Sequence, residues 1–101
     1  MSSYITLHQT KTTGTTGDWT RVPPAPMGPL LRGFLDSAGG TATINVYGRS
    51  HAGSNERLLC TFTLSGASDE ATPYLLQEPW VELQARTTLA GGATATCDME
   101  Y

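Results

Sequence analysis

Residues 80–101 read WVELQARTTLAGGATATCDMEY, and their alternation decides the fold. Val81, Leu83 and Ala85 point one way while Glu82, Gln84 and Arg86 point the other. Beyond Gly91 and Gly92, the residues Ala93, Ala95, Cys97, Met99 and Tyr101 take one face, and Thr94, Thr96, Asp98 and Glu100 take the opposite one. Successive side chains of a strand leave on opposite faces, so a period of two marks two strands, each with one buried face. The Gly-Gly between them predicts a β-hairpin. A slip of one residue would put every apolar side chain in water, which fixes the register.

The same pattern extends upstream. In GGTATINVYGRS (39–50), Ala42, Ile44 and Val46 oppose Thr43, Asn45 and Tyr47. HAGSN (51–55) is a turn cluster, and RLLCTFTLSG (57–66) sets Leu58, Cys60, Phe62 and Leu64 against Leu59, Thr61 and Thr63. LLRGFLDS (30–37) reads as a further strand. RVPPAPMGP (21–29) holds four of the six prolines, which lack the amide proton a ladder needs, so it is a loop or crossover. GASDEATPYLLQEP (66–79) is a second long connection, with room for a short strand at 74–76. No stretch of ten residues keeps helical apolar spacing. The prediction is an all-β chain, an antiparallel β-sandwich or jelly roll of seven to eight short strands.

At 101 residues the chain is sized for one core. Its formal charge is -3, with a single lysine (Lys11) and five arginines. No basic face for phosphate neutralisation is visible, so no nucleic-acid partner is expected. Charged residues are only 15% of the chain, and sixteen threonines supply polarity in their place. MSSYITLHQT lacks a charged region followed by an apolar run, so no signal peptide is expected. No apolar run approaches the roughly 18 residues of a membrane helix, so no membrane partner is expected either. Cys60 and Cys97 have no metal-knuckle spacing and are expected as reduced, inward-facing thiols.

Residues 1–17 differ from 18–101. A short alternating run (Tyr4, Thr6 and His8 against Ile5 and Leu7) precedes a Thr/Gly tract. It reads either as an ordinary first strand with a loop or as an arm that pairs with a neighbouring subunit. The remaining 18–101 form the single sandwich domain.

Nothing carries chemistry, and the chain is not expected to be an enzyme. His8 and His51 have no ligand or base partner at suitable spacing, and SHAGS (50–54) is not a nucleophile elbow. The carboxylates of SDE (68–70) and DME (98–100) read as solvated acids rather than as a glycosidase pair. Catalytic, cofactor-binding and metal-binding residues are therefore expected to be none, and no cofactor is implied. The aromatics are better candidates. Tyr47 falls on an outward face. Trp80 shares parity with Glu82 and Arg86, so it is either outward or a cap on the sandwich end, while Trp19 fits core and surface alike. Trp, Tyr and Arg are the types enriched at binding hot spots.

With TGDWTRVP (16–23), GGTATINVYGRS and PWVELQARTTLAGGATATCDMEY in view, the chain resembles the small β-sandwich virion structural proteins of tailed bacteriophages, of the head decoration or cement type. That resemblance implies a virion protein on the capsid surface, made in the host cytoplasm and without catalytic residues. Its partners would be the major capsid protein or other virion proteins, and it would be a homo-oligomer. A head-fibre or tail module is the neighbouring alternative. From the residues, a carbohydrate-binding sandwich is another, since exposed aromatics stack on sugars. The expected contacts are Tyr4, Ile5, Leu7, Tyr47 and Trp80, with attachment resting on the arm and aromatics rather than on charge.

Overall fold

The computed structural model describes residues 4–10, 16–22, 28–36, 39–50, 55–66, 73–76 and 80–101, with Tyr4, His8, Gln9 and Thr10 described by backbone alone. Among the described residues eight strands run β1 (Tyr4–Thr10), β2 (Thr20–Arg21), β3 (Leu30–Leu35), β4 (Thr41–Arg49), β5 (Arg57–Ser65), β6 (Tyr74–Leu75), β7 (Glu82–Ala90) and β8 (Ala95–Glu100). They form two four-stranded sheets, β1-β8-β3-β6 and β2-β7-β4-β5, in which every pairing is antiparallel. The first strand pairs with the eighth, the second with the seventh, the third with the sixth and the fourth with the fifth. This nested order is a long hairpin rolled up, and the added contacts β3–β8 and β4–β7 close the roll. The described strands form a jelly-roll sandwich of two antiparallel sheets.

Inward residues follow the alternation. Leu31 and Leu35 from β3, Ala42, Ile44 and Val46 from β4, Phe62 and Leu64 from β5, Leu83 and Ala85 from β7, and Ala95, Cys97 and Met99 from β8 are all buried. The two sheets approach closely at Gly33, where a Cβ would stand 2.8 Å from the Phe62 ring. The absent side chain there makes room for the ring, so sheet spacing is set by one glycine and one phenylalanine.

The expected hairpin at 90–92 is not one. Gly91 and Gly92 do turn the chain, with φ of 70° and 76°. However, β7 pairs with β2 and β4, whereas β8 pairs with β1 and β3 in the other sheet. The turn is an arch between sheets. Alternation fixes which face of each strand is buried, and both arrangements bury the same faces.

A second correction concerns β5. Val46 pairs with Cys60 but Tyr47 with Leu58, so Leu59 is an extra residue. This β-bulge reverses parity before it: Leu58 is 49% exposed, while Leu59 packs against the core. In β1, Thr6 pairs with Asp98 and His8 with Cys97, so Leu7 is inserted in the same way. Each sheet thus has one bulged edge, β1 or β5, and one edge of only two residues, β6 or β2.

Candidate interaction surface

The outer face of β2-β7-β4-β5 is organised by residues 16–22, which run along β7. Gly17 N–H donates to the Ala85 carbonyl (2.9 Å), Val22 N–H donates to the Val81 carbonyl (2.8 Å), and Thr20 and Arg21 pair with Leu83 and Glu82. This segment covers Gln84, which is only 8% exposed although it lies on the outward parity. Burial of an amide requires partners. Gln84 Nε2 donates to the Gly17 carbonyl (2.9 Å) and its Oε1 accepts from Arg86 Nε (2.9 Å).

Two arginines then tie neighbouring strands through aromatic rings. The Arg86 guanidinium lies 3.9 Å over the Tyr47 ring and donates to Glu56 at 2.7 Å. The Arg49 guanidinium lies 4.1 Å over the Trp19 ring and donates to Glu82 at 2.9 Å. Each stacked cation contributes about 0.5–1 kcal/mol at sites this exposed, and each part-exposed ion pair up to about 1 kcal/mol. Beside them the Thr61 hydroxyl donates to Asn45 Oδ1 at 2.8 Å. The surface is a set of mutually bonded groups, with no nucleophile and base facing one another among the described residues.

The expected contact residues separate. Tyr47 is outward, as alternation requires, but half-buried beneath Arg86. Trp80 is not outward. β7 begins only at Glu82, so the parity argument stops short of Trp80, whose ring packs on the core and would touch a Cβ at Gly48 at 2.9 Å. Its Nε1 is buried without a partner among the described residues. Leu7 is 4% exposed and Ile5, partly buried, packs against the same core, so both contribute to the chain's own sandwich. The backbone of Tyr4 pairs with Glu100, and its side chain lies outside the described residues. Trp19, undecided from sequence, is the ring beneath Arg49. Sequence reasoning missed the arginine pairings, because alternation shows Arg49, Arg86 and Glu82 only as polar strand positions.

The remaining titratable groups offer little reactivity. Cys60 is half-buried and Cys97 buried, and both are free thiols. Loss of hydration pushes the Cys60 thiol up to about 12. Cys97 is raised as well, by burial first and then by Cys60 and Asp98. The thiolate is the nucleophile, so neither is activated at neutral pH. On the other sheet, Asp98 is raised by burial, opposed by a hydrogen bond from Thr6 and raised further by Asp36. Its Oδ1 is buried with no hydrogen-bond partner among the described residues. The side chain of His8, the whole of His51 and the acids at 69–70 lie outside the described residues. Among the described residues no group of three His, Cys, Asp or Glu is placed to hold a metal ion.

No protein-family model and no curated protein matches the chain. A solved structure does. The SPBc2 prophage-derived protein YomS has a similar fold, with a TM-score of 0.61 at 10% identity, over 100% of this chain and 94% of its own. At that identity the likeness is one of fold.

Proposed function

We propose that the chain is a structural protein of a tailed-phage particle, a decoration subunit seated in many copies on the head and contacting the major capsid protein. The observation that carries this reading is the match in fold, end to end, to a prophage-derived protein. The surface is consistent with it: the polar groups of the outer sheet bond to each other rather than surround a reacting centre. Repetition on a lattice lets individually weak contacts act together. A carbohydrate-binding role is less well supported, because a guanidinium occupies one face of both Trp19 and Tyr47, where a sugar would stack. The test is mass spectrometry of purified particles followed by cryo-electron microscopy. Density for this sandwich on the head lattice is the expected result; density on the tail or a fibre removes the decoration role, and absence from particles removes the whole reading.

A further inference from the structure

Among the described residues four large apolar side chains are exposed: Leu58 (49%), Leu75 (42%), Tyr101 (40%) and Val81 (38%). All four lie at one end of the sandwich, opposite the arch at 91–94. Leu58 is the second residue of β5, Val81 precedes β7, and Tyr101 follows β8. Leu75 pairs with Leu30, the first residue of β3, which in turn pairs with Glu100 at the end of β8. The opposite end, by contrast, carries Gly39, Gly40, Thr41, Ser65, Gly66 and the Ala-Gly turn.

Charge is concentrated at the same end. Across β2-β7-β4-β5, Arg21 pairs with Glu82, Glu82 with Arg49, and Arg57 with Gly48 beside Arg49. Arg21 and Arg49 therefore share a row with Glu82, whose carboxylate is already bound by Arg49, and Arg57 stands in the next row, opposite Gly48. Arg21 and Arg57 are exposed and make no ion pair among the described residues. The other two arginines, Arg32 and Arg86, are matched by Glu100 and Glu56. In a chain of net charge -3, these two exposed cations run against the overall sign.

We propose that this end of the sheet docks on another protein at an acidic surface around an apolar centre. Leu58 and Val81 supply the apolar contact, with Arg57 beside Leu58 on edge strand β5 and Arg21 on the opposite edge strand β2. The proposal rests on the particle reading above and assigns the partner surface to the capsid. Charge complementarity selects this occupant: a second copy meeting the same end would bring Arg21 and Arg57 against their own kind. A nucleic acid would have no use for the exposed leucine and valine beside the cations, and would face a chain of its own sign.

The experiment compares particles carrying the parent chain with particles carrying Arg21→Glu/Arg57→Glu, Leu58→Ser/Val81→Ser, or the control Thr63→Glu/Ala90→Glu. Circular dichroism and thermal melts of each purified chain confirm folding, and quantitative mass spectrometry counts copies per particle. Each of the first two variants should need about tenfold or more free protein to reach parental occupancy, while the control stays near parental. Occupancy of the parent should also fall between about 0.1 M and 1 M salt, as the screening length shrinks from about 10 Å to 3 Å. Folded variants that decorate like the parent overturn the proposal. So does a dimer in sedimentation that Leu58→Ser/Val81→Ser dissolves, or binding of duplex DNA that the arginine reversals abolish. If the parent chain itself is absent from particles, the particle reading fails first and takes the capsid assignment with it.

Discussion

The two sheets obey the same alternation and present opposite outer faces. On β2-β7-β4-β5, residues 16–22 lie against β7, and Arg49, Arg86, Glu82, Glu56 and Gln84 divide their bonds among themselves and two aromatic rings. On β1-β8-β3-β6, Arg32 donates to Glu100 and Thr96 donates to Asp36, yet Asp98 keeps a buried oxygen with no partner among the described residues. The difference teaches that patterning specifies only which residues face outward. Whether an outward polar group finds its partner depends on what the rest of the chain lays over it.

The largest effect is expected where the sheets meet. Gly33→Ala places a Cβ 2.8–2.9 Å from Phe62 and should cost about 1–3 kcal/mol in urea unfolding. Gly39→Ala, with nothing within 4 Å, should cost far less. Equal losses would mean that the Gly33–Phe62 contact does not set the spacing.

Next comes the closed face. Gln84→Ala leaves the Gly17 carbonyl and Arg86 Nε without their partner and should cost about 1–2 kcal/mol. Thr96→Val on the other face removes only an exposed bond to Asp36 and should cost less than about 1 kcal/mol. A reversed order in thermal melts would break the contrast between the faces.

Smaller still is Arg49→Lys, which keeps the charge beside Glu82 but loses the planar group over Trp19. About 0.5–1 kcal/mol is expected, with a change in tryptophan fluorescence as the second readout. No loss would demote the stacking to coincidence.

The smallest effect depends on pH. Burial raises Asp98, so the folded chain holds its proton more tightly than the unfolded chain does. That contribution is fully present below the ordinary carboxylate value of about 3.9 and is lost as pH rises through the raised folded value. Asp98→Asn cannot titrate and should therefore gain slightly on the parent at neutral pH, with the gain vanishing in acid. Parallel melting curves across that range would show that Asp98 is not the titrating group.

Much of the fold is legible in the sequence. The inward parity of Ile44, Val46, Leu83, Ala85, Cys97 and Met99 follows from period two alone, and so does the all-β class. Three things are not. The Gly91-Gly92 turn is written identically for a hairpin and for an arch, because partner choice is decided by strands far away in sequence. Leu58 and Leu59 are both apolar, so nothing local says which one the bulge inserts. Trp80 follows Pro79 just outside β7, where parity no longer applies. As for the surface, Arg49 and Trp19 are distant along the chain, and only the lie of residues 16–22 along β7 brings them together.

The nested pairing also has a consequence in time. β4 and β5 are joined by a short connection and can meet early, but β8 lies between β1 and β3 in its sheet. Until the eighth strand has left the ribosome, β1 and β3 lack the strand that joins them. Pairing partners so distant along the chain put folding in the slow range, about milliseconds to seconds. Synthesis from the N-terminus therefore leaves that sheet waiting for its final strand, and a ribosome stalled before Ala95 would hold half a sandwich with Leu31 and Leu35 short of the neighbours that bury them.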